Sequence, residues 1–141
     1  ERVGDQSVNI AERVMDMVEL PAVDLPVDIP RMAAAVSAMV RRALESFVEG
    51  KAELAQAVLE MDNVVDRMRD EAFIMLVKTM NERPEATRQA LDALLVARNL
   101  ERVADHATNI AEDVIFWVRG FDVRHNVPDP DSQSQQEIKR T

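Results

Sequence analysis

The sequence predicts an all-α protein, an antiparallel three-helix bundle preceded by one further helix. Composition favours helices, because the 141-residue chain has only three glycines and no tyrosine and is rich in Ala, Val, Leu, Met and Glu. Hydrophobic residues make up 47% of the chain, which is enough to build a core. Apolar residues also recur at helical spacing in four segments that proline or glycine separates.

The first helix is expected over residues 1–20, because Pro21 disfavours helical geometry in the residue before it. A proline-rich connector follows at residues 21–29. The helix needs a partner for its apolar side, either the bundle that follows or another chain. The residues predicted to form that side are Val3, Ile10, Val14 and Val18.

The second helix opens the bundle predicted at residues 30–120. Asp28 is a good N-cap, and Pro30 lies in the first turn, where its missing N–H is harmless. The helix is expected to end near Glu49, with Gly50 supplying the turn. Its predicted apolar stripe consists of Met32, Val36, Met39, Val40, Ala43, Leu44 and Phe47.

The third and fourth helices complete the bundle. The third is expected to extend to about Asn81, where the sequence NERPE interrupts the pattern. The fourth should run from about 85 to 119, with Gly120 as the glycine that follows a helix end. Residues 121–141 are polar and aperiodic, so we expect a flexible tail. The predicted buried stripe of the third helix is Leu54, Val58, Met61, Val65, Met68, Ala72, Met75 and Leu76.

An internal repeat links the two ends of the chain. Residues 101–118, ERVADHATNIAEDVIFWV, match residues 1–18, ERVGDQSVNIAERVMDMV, at ten of eighteen positions. Self-similarity of this kind indicates a duplicated structural unit, here of about a hundred residues. We therefore interpret residues 1–20 as the last helix of an upstream bundle, and the chain as a fragment of a longer protein that is trimmed at its N-terminus.

Two helices of the predicted bundle carry acidic faces. The helical period aligns Asp62 with Asp66 on the third helix, and Glu101 with Asp105 on the fourth. Like charges on one face repel, so two adjacent acidic faces require either solvent or a cation. A solvated surface is the simplest interpretation. Carboxylate oxygens also suit hard or borderline cations, and the sequence does not distinguish iron, manganese, magnesium, calcium or zinc.

The repeat favours a functional interpretation of these acids. Glu1 and Asp5 reproduce the Glu-x-x-x-Asp spacing, and Asn9 reproduces Asn109. A face that is merely solvated has no reason to keep side-chain identity through duplication. Glu1, Asp5 and Asn109 are therefore additional candidate ligands.

Several classes of function are disfavoured. The formal charge of −9 makes the chain a poor binder of nucleic acid, and the lack of cysteine excludes disulfides and thiolate metal sites. The Glu-x-x-His signature of di-iron bundle enzymes is absent, because Val103 lies three residues before His106. No nucleophilic triad and no glycine-rich phosphate loop is present, and no apolar run approaches the ~20 residues that span a bilayer.

Other polar and aromatic residues have ordinary explanations. A phosphate site could be built from Arg41 and Arg42 or from Arg67 and Arg69, although such pairs are usually exposed helix charges. Phe116 and Trp117 are more typical of core or interface positions than of a stacking platform.

The repeated pattern ER-V-[G/A]-D-x-x-x-N-I-A-E resembles the signature of the PhoU family of bacterial phosphate-signalling regulators. The segment MDNVVDRM resembles the family's middle-helix motif, and VRGFDVRHN resembles the segment after the last helix. The resemblance extends to about residue 126. It implies two tandem three-helix bundles in the full family fold, of which this chain holds one bundle and the last helix of the other.

The resemblance also implies a function. It implies a cytoplasmic adaptor, not an enzyme, that represses the phosphate-starvation regulon and forms homo-oligomers. Its partners would be the ATPase of the phosphate ABC transporter and the sensor histidine kinase, so that it reaches the membrane only through them. Some members bind multinuclear iron clusters, without an organic cofactor. The alternatives are a metal-dependent helical-bundle enzyme and a purely structural dimerisation module.

The resemblance assigns candidate ligands by position. Asp62 and Asp66 of the third helix would share a metal cluster with Glu101 and Asp105 of the fourth, and Asn109 would lie at its edge. Glu1 and Asp5 would match the equivalent site of the first bundle, whose middle-helix partners are not in this chain.

Overall fold

The computed structural model describes the backbone of residues 1–125 and the side chains of residues 1–120. Within that range the chain is all-α, as the sequence predicts, and contains no strand. Most of the predicted tail lies outside the described residues. The elements are α1 (Arg2–Val18), α2 (Ile29–Glu49), α3 (Ala52–Glu82), a short 3₁₀ turn (Pro84–Ala86) and α4 (Thr87–His125).

Both ends of α2 form as the sequence predicts. The side chain of Asp28 caps the helix by accepting a hydrogen bond from the backbone N–H of Arg31 at 2.9 Å. At the other end Gly50 adopts a left-handed φ of 62°, and the N–H of Lys51 donates to the carbonyl of Ser46 at 3.1 Å. This cap reverses the chain within two residues, so that α3 packs directly against α2.

Gly120 does not end α4. The helix continues through it to His125, and among the described residues only Gly50 has a positive φ. One glycine inside a helix costs about 1 kcal/mol relative to alanine, and continued backbone hydrogen bonding offsets that cost. The predicted helix end at 119 was therefore wrong.

The two glycines should respond oppositely to alanine. Gly50→Ala is expected to lower the free energy of unfolding by about 1–2 kcal/mol, because a Cβ is unfavourable in the left-handed region. Gly120→Ala should raise it by about 0.5–1 kcal/mol, because that site is helical and open. Urea denaturation of both variants measures the difference, and changes of the same sign would contradict the assigned backbone geometry.

Helices α2, α3 and α4 enclose one apolar core, and α1 packs on α4. Small side chains dominate the buried face of α4, which allows its neighbours to approach closely. The alanines buried on α4 are Ala90, Ala93, Ala97, Ala104, Ala107 and Ala111. Two buried hydroxyls are satisfied locally, since Ser46 and Thr79 donate to the carbonyls of Ala43 and Met75.

Some residues predicted to be buried are exposed. Leu44 and Phe47 of α2 are 52% and 63% exposed, and Met75 of α3 is 39% exposed. The inward face of α2 is narrower than the apolar arc in its sequence, because among the described elements α2 contacts only α3 and α4. Polar Ser46 takes a buried position on α2 instead.

Helix α1 runs antiparallel to α4, because Arg13 lies near Asp92 while Asn9 lies near Arg102. Its partner in this structure is therefore the bundle. The inward side chains are Val3, Ile10 and Met17, whereas Val14 and Val18 were predicted to be inward and are exposed. A second side of the helix, the outer apolar face of α1, is exposed and consists of Val8, Ala11, Met15 and Val18.

The connector between α1 and α2 is fixed to the end of the bundle. The side-chain amide of Gln89 donates to the carbonyl of Pro21 at 3.0 Å, and Arg83 donates to the carbonyl of Asp24 at 3.0 Å. Leu25 and Val27 pack against the core. These contacts fix the direction in which the chain enters α2.

Candidate functional site

The antiparallel packing of α3 on α4 brings five carboxylates together. We call this set the acidic cluster: Asp62, Asp66 and Asp70 of α3 with Glu101 and Asp105 of α4. Its members are half-buried or exposed, so the cluster forms part of the bundle surface. The predicted metal ligands Asp62, Asp66, Glu101 and Asp105 all belong to it.

The pKa of Asp62 shows that these carboxylates lie close together. Its pKa is raised, first by partial burial and then by the charges of Asp66, Asp105 and Glu101, while Arg69 opposes the increase. The ionised form of Asp62 is thus disfavoured in the folded state. Neutralising this residue should stabilise the fold.

We therefore expect Asp62→Asn to raise the free energy of unfolding by a few tenths of a kcal/mol at pH 7, the size of a relieved like-charge pair. Urea denaturation in the presence of a chelator measures it. Glu60→Gln, an exposed position on the same helix, is the matched control and should change little. A loss of stability in Asp62→Asn would contradict the repulsion.

Arg69 lies at the centre of the acidic cluster. Its Nη1 is 3.2 Å from Glu101 Oε1 and its Nη2 is 3.4 Å from Asp66 Oδ1. Its Nε is 3.0 Å from Asp70 Oδ1. One guanidinium therefore joins three carboxylates from both helices, and the contact to Glu101 links α3 to α4.

The sequence analysis considered Arg69 as an exposed helix charge or, with Arg67, as part of a phosphate site, and did not place it among the acids. One signal was available, because Arg69 follows Asp66 by three residues, a spacing that places the two side chains on neighbouring positions of one helix face. The contact with Glu101, 32 residues away, depends on how α3 and α4 pack.

The donor chemistry of the cluster fits a hard cation, since it consists of carboxylate oxygens. In the structure, however, the carboxylate oxygens of Asp66 and Glu101 contact the guanidinium of Arg69. Within the described part of the chain, no three His, Asp or Glu side chains are placed to hold one ion. A metal ion here would have to compete with Arg69 for the oxygens of Asp66 and Glu101.

The remaining candidate ligands lie apart or at the edge. Asn109 is exposed, one turn beyond Asp105 on α4. Glu1 and Asp5 are exposed at the start of α1, and the Glu1 side chain does not cap that helix. Acidic groups at a helix N-terminus are favourable for the helix dipole, which gives these two a structural role.

Comparison with known proteins identifies the family. Residues 29–114, from the start of α2 to a point about three turns before the end of α4, match the PhoU domain. The chain belongs to the PhoU family. The matched segment contains the whole acidic cluster and Arg69, whereas α1 lies before it.

Relatives support the same family. The chain is 40% identical over 128 residues to the phosphate-specific transport system accessory protein PhoU homolog of Pseudomonas aeruginosa, covering 89% of this chain and 52% of the relative. It is 35% identical over 120 residues to PhoU homolog 2 of Thermotoga maritima, covering 85% and 51%. The chain therefore spans about half the length of the curated relatives it matches.

A solved structure supports the fold. The crystal structure of PhoU from Pseudomonas aeruginosa superposes with a TM-score of 0.80 at 38% sequence identity, covering 85% of this chain and 58% of that one. No helix in the described part of this chain is both long enough and apolar enough to cross a membrane.

Proposed function

We propose that this chain is part of a phosphate-signalling adaptor that represses the phosphate-starvation regulon in the cytoplasm. It would couple the ATPase of the phosphate ABC transporter to the sensor histidine kinase. Membership of the PhoU family carries the proposal, and it is supported by the Pseudomonas aeruginosa relative, which is named a phosphate-specific transport system accessory protein. Such an adaptor needs no catalytic residue, because it acts through different affinities for partners in different states.

We propose the acidic cluster as the docking surface. It combines a dense negative charge with a position on the two longest helices of the bundle, α3 and α4. Charge of one sign on a surface steers and orients an oppositely charged partner. A basic segment of the kinase or the ATPase could replace Arg69 at Asp66 and Glu101 without any change in the fold.

A reporter of the phosphate-starvation response tests the adaptor role. In a bacterium that lacks its own PhoU, expression of the chain should repress the reporter in phosphate-rich medium. Asp66→Ala/Asp105→Ala should relieve repression. The matched control is Glu60→Ala/Asp113→Ala, which removes one exposed carboxylate from each of the same two helices and should still repress. Failure of the unchanged chain to repress would contradict the proposal.

We also propose that the cluster binds metal ions, iron or a divalent ion, through Asp62, Asp66, Glu101 and Asp105. Elemental mass spectrometry of the purified protein tests this. Stoichiometric metal should be present, and it should be absent from Asp66→Ala/Asp105→Ala but retained in Glu60→Ala/Asp113→Ala. Absence of metal from all three proteins after loading would contradict it. If the metal is lost while repression persists, the metal is incidental to the adaptor function.

Homo-oligomerisation is the remaining proposal, and the outer apolar face of α1 favours it. Met15 and Val18 are 66% and 75% exposed, a larger apolar exposure than a solvated helix needs. Light scattering over a range of concentrations should show self-association that Val8→Lys/Met15→Lys abolishes. Ala34→Lys/Ser37→Lys adds the same charge at exposed positions of α2 and should leave the mass unchanged.

A further inference from the structure

A basic cleft of about 260 Å³ lies between α1 and α4. We call it the arginine cleft. Two helices line it, with three residues from α1 and four from α4. Its polar lining consists of Asn9, Glu12 and Arg13 of α1 with Arg98, Asn99 and Arg102 of α4. Three guanidinium groups thus gather in one cleft of a chain whose formal charge is −9.

Two of these arginines lack a carboxylate partner. Arg98 and Arg102 lie one turn apart on α4, so their charges repel. Within residues 1–120, neither has a carboxylate within 4.0 Å, even though acidic side chains are abundant. Arg13 is shared between Asp16 at 3.4 Å and Asp92 at 3.9 Å. The lining of the cleft therefore carries more positive than negative charge, with three arginines and one carboxylate, Glu12.

The donors in the cleft match an oxyanion. Guanidinium groups form paired, charge-assisted hydrogen bonds with phosphate-like anions, and the amides of Asn9 and Asn99 can add neutral donors. Glu12 is the exception, since an ionised carboxylate only accepts hydrogen bonds. A bound anion next to Glu12 is favoured if it carries a proton to donate. Inorganic phosphate keeps a proton at neutral pH, and sulfate does not.

We propose that the arginine cleft binds a protonated phosphate group, with Arg98 and Arg102 as principal donors and Glu12 as the acceptor that selects for the proton. Inorganic phosphate satisfies this chemistry best. A phosphomonoester presents the same oxygens, but it has lost most of its second proton at pH 7.5 because its second pKa is about 6.

The arginine that α1 contributes to the cleft lies away from the outer apolar face of that helix. At 100° per residue, Arg13 is about 140–160° around α1 from Val8 and Met15, whereas Glu12 is about 40–60° from them. Self-association through that face leaves the arginines accessible. The cleft and the acidic cluster share no residue, although Arg98 and Arg102 lie three residues before Glu101 and Asp105 on α4. The binding proposal therefore does not depend on the adaptor role.

Isothermal titration calorimetry with inorganic phosphate at pH 7.5 and constant ionic strength tests the proposal. Saturable binding is expected, and Arg98→Gln and Arg102→Gln should each weaken it at least about tenfold, the loss for one hydrogen bond to a charged group. Arg41→Gln removes an exposed arginine from α2 and is the matched control, which should bind as the unchanged chain does. Circular dichroism confirms that each variant is folded.

Two further titrations identify the anion. Sulfate should bind more weakly than phosphate. Glu12→Gln should strengthen sulfate binding and so reduce the difference between the two affinities. Glycerol phosphate should bind more weakly than inorganic phosphate, and tighter binding of glycerol phosphate would overturn the role of Glu12 in selecting for the proton. The proposal is overturned if phosphate shows no saturable binding up to about 10 mM, or if Arg98→Gln and Arg102→Gln bind as Arg41→Gln does.

Discussion

Leu76→Ala is expected to lower the free energy of unfolding by about 2–5 kcal/mol, the largest effect on stability that the structure predicts for one side chain. Leu76 is fully buried on α3, in the core shared by α2, α3 and α4. Truncation removes the favourable transfer free energy of this side chain and leaves a cavity that the surrounding core side chains cannot fill without moving. Urea denaturation measures the loss.

Leu44→Ala is the matched control. Leu44 has the same side chain but is 52% exposed on α2, so its truncation should cost less than about 1 kcal/mol. The pair therefore tests which side of α2 faces the core. Equal losses in both variants would show that Leu44 is buried, as the sequence pattern alone predicted.

Arg69→Gln is expected to have the largest effect on the acidic cluster. The substitution leaves Asp66, Asp70 and Glu101 without their shared cation, so the protein should lose about 1 kcal/mol of stability at low salt. The estimate is modest because the Arg69 side chain is 37% exposed and solvent screens its ion pairs. Urea denaturation in chelator at low and high salt measures this loss, which should shrink as salt increases.

The same substitution should strengthen metal binding at the cluster. It removes one positive charge and frees the oxygens of Asp66 and Glu101, so the affinity for Mn²⁺ should rise about tenfold, equivalent to about 1.4 kcal/mol. Calorimetric titration with Mn²⁺ measures it. Arg67→Gln removes an exposed arginine two residues away and serves as the control. Unchanged affinity in Arg69→Gln would contradict competition between arginine and metal.

Local sequence signals predicted the helix ends most accurately. Asp28 caps α2 and Gly50 reverses the chain because each depends on its own backbone geometry and its immediate neighbours. Gly120 shows where this reasoning fails, because a glycine ends a helix only where the residues that follow it leave the helical conformation. A proline follows Val18 within three residues, whereas the next proline after Gly120 is Pro128.

The choice of buried face was predicted less well. Apolar periodicity marks an arc that is wider than any one interface, and α1 illustrates this. Its contact with α4 follows Val3, Ile10 and Met17, at seven-residue spacing, and leaves Val14 and Val18 exposed. Which part of the arc is buried depends on the position and crossing of the neighbouring helix, which the spacing of apolar residues does not specify.

The grouping of the candidate ligands was predicted, their contact with Arg69 was not, and their role as metal ligands stays a prediction. Helical spacing placed Asp62 with Asp66 and Glu101 with Asp105, and the structure brings all four together. The role of Arg69 was missed because its link to Glu101 requires the packing of α3 on α4. The arginine cleft was missed for the same reason, since Arg13 and Arg98 are far apart in sequence.

Binding of the purified chain to the sensor kinase and to the transporter ATPase of the same organism tests the central claim most directly. The measurement is the affinity for each partner of the unchanged chain, of Asp66→Ala/Asp105→Ala, and of Glu60→Ala/Asp113→Ala. The docking role of the acidic cluster predicts saturable binding that weakens at least about tenfold only in Asp66→Ala/Asp105→Ala. Absence of binding to both partners, or equal binding by all three proteins, would contradict it.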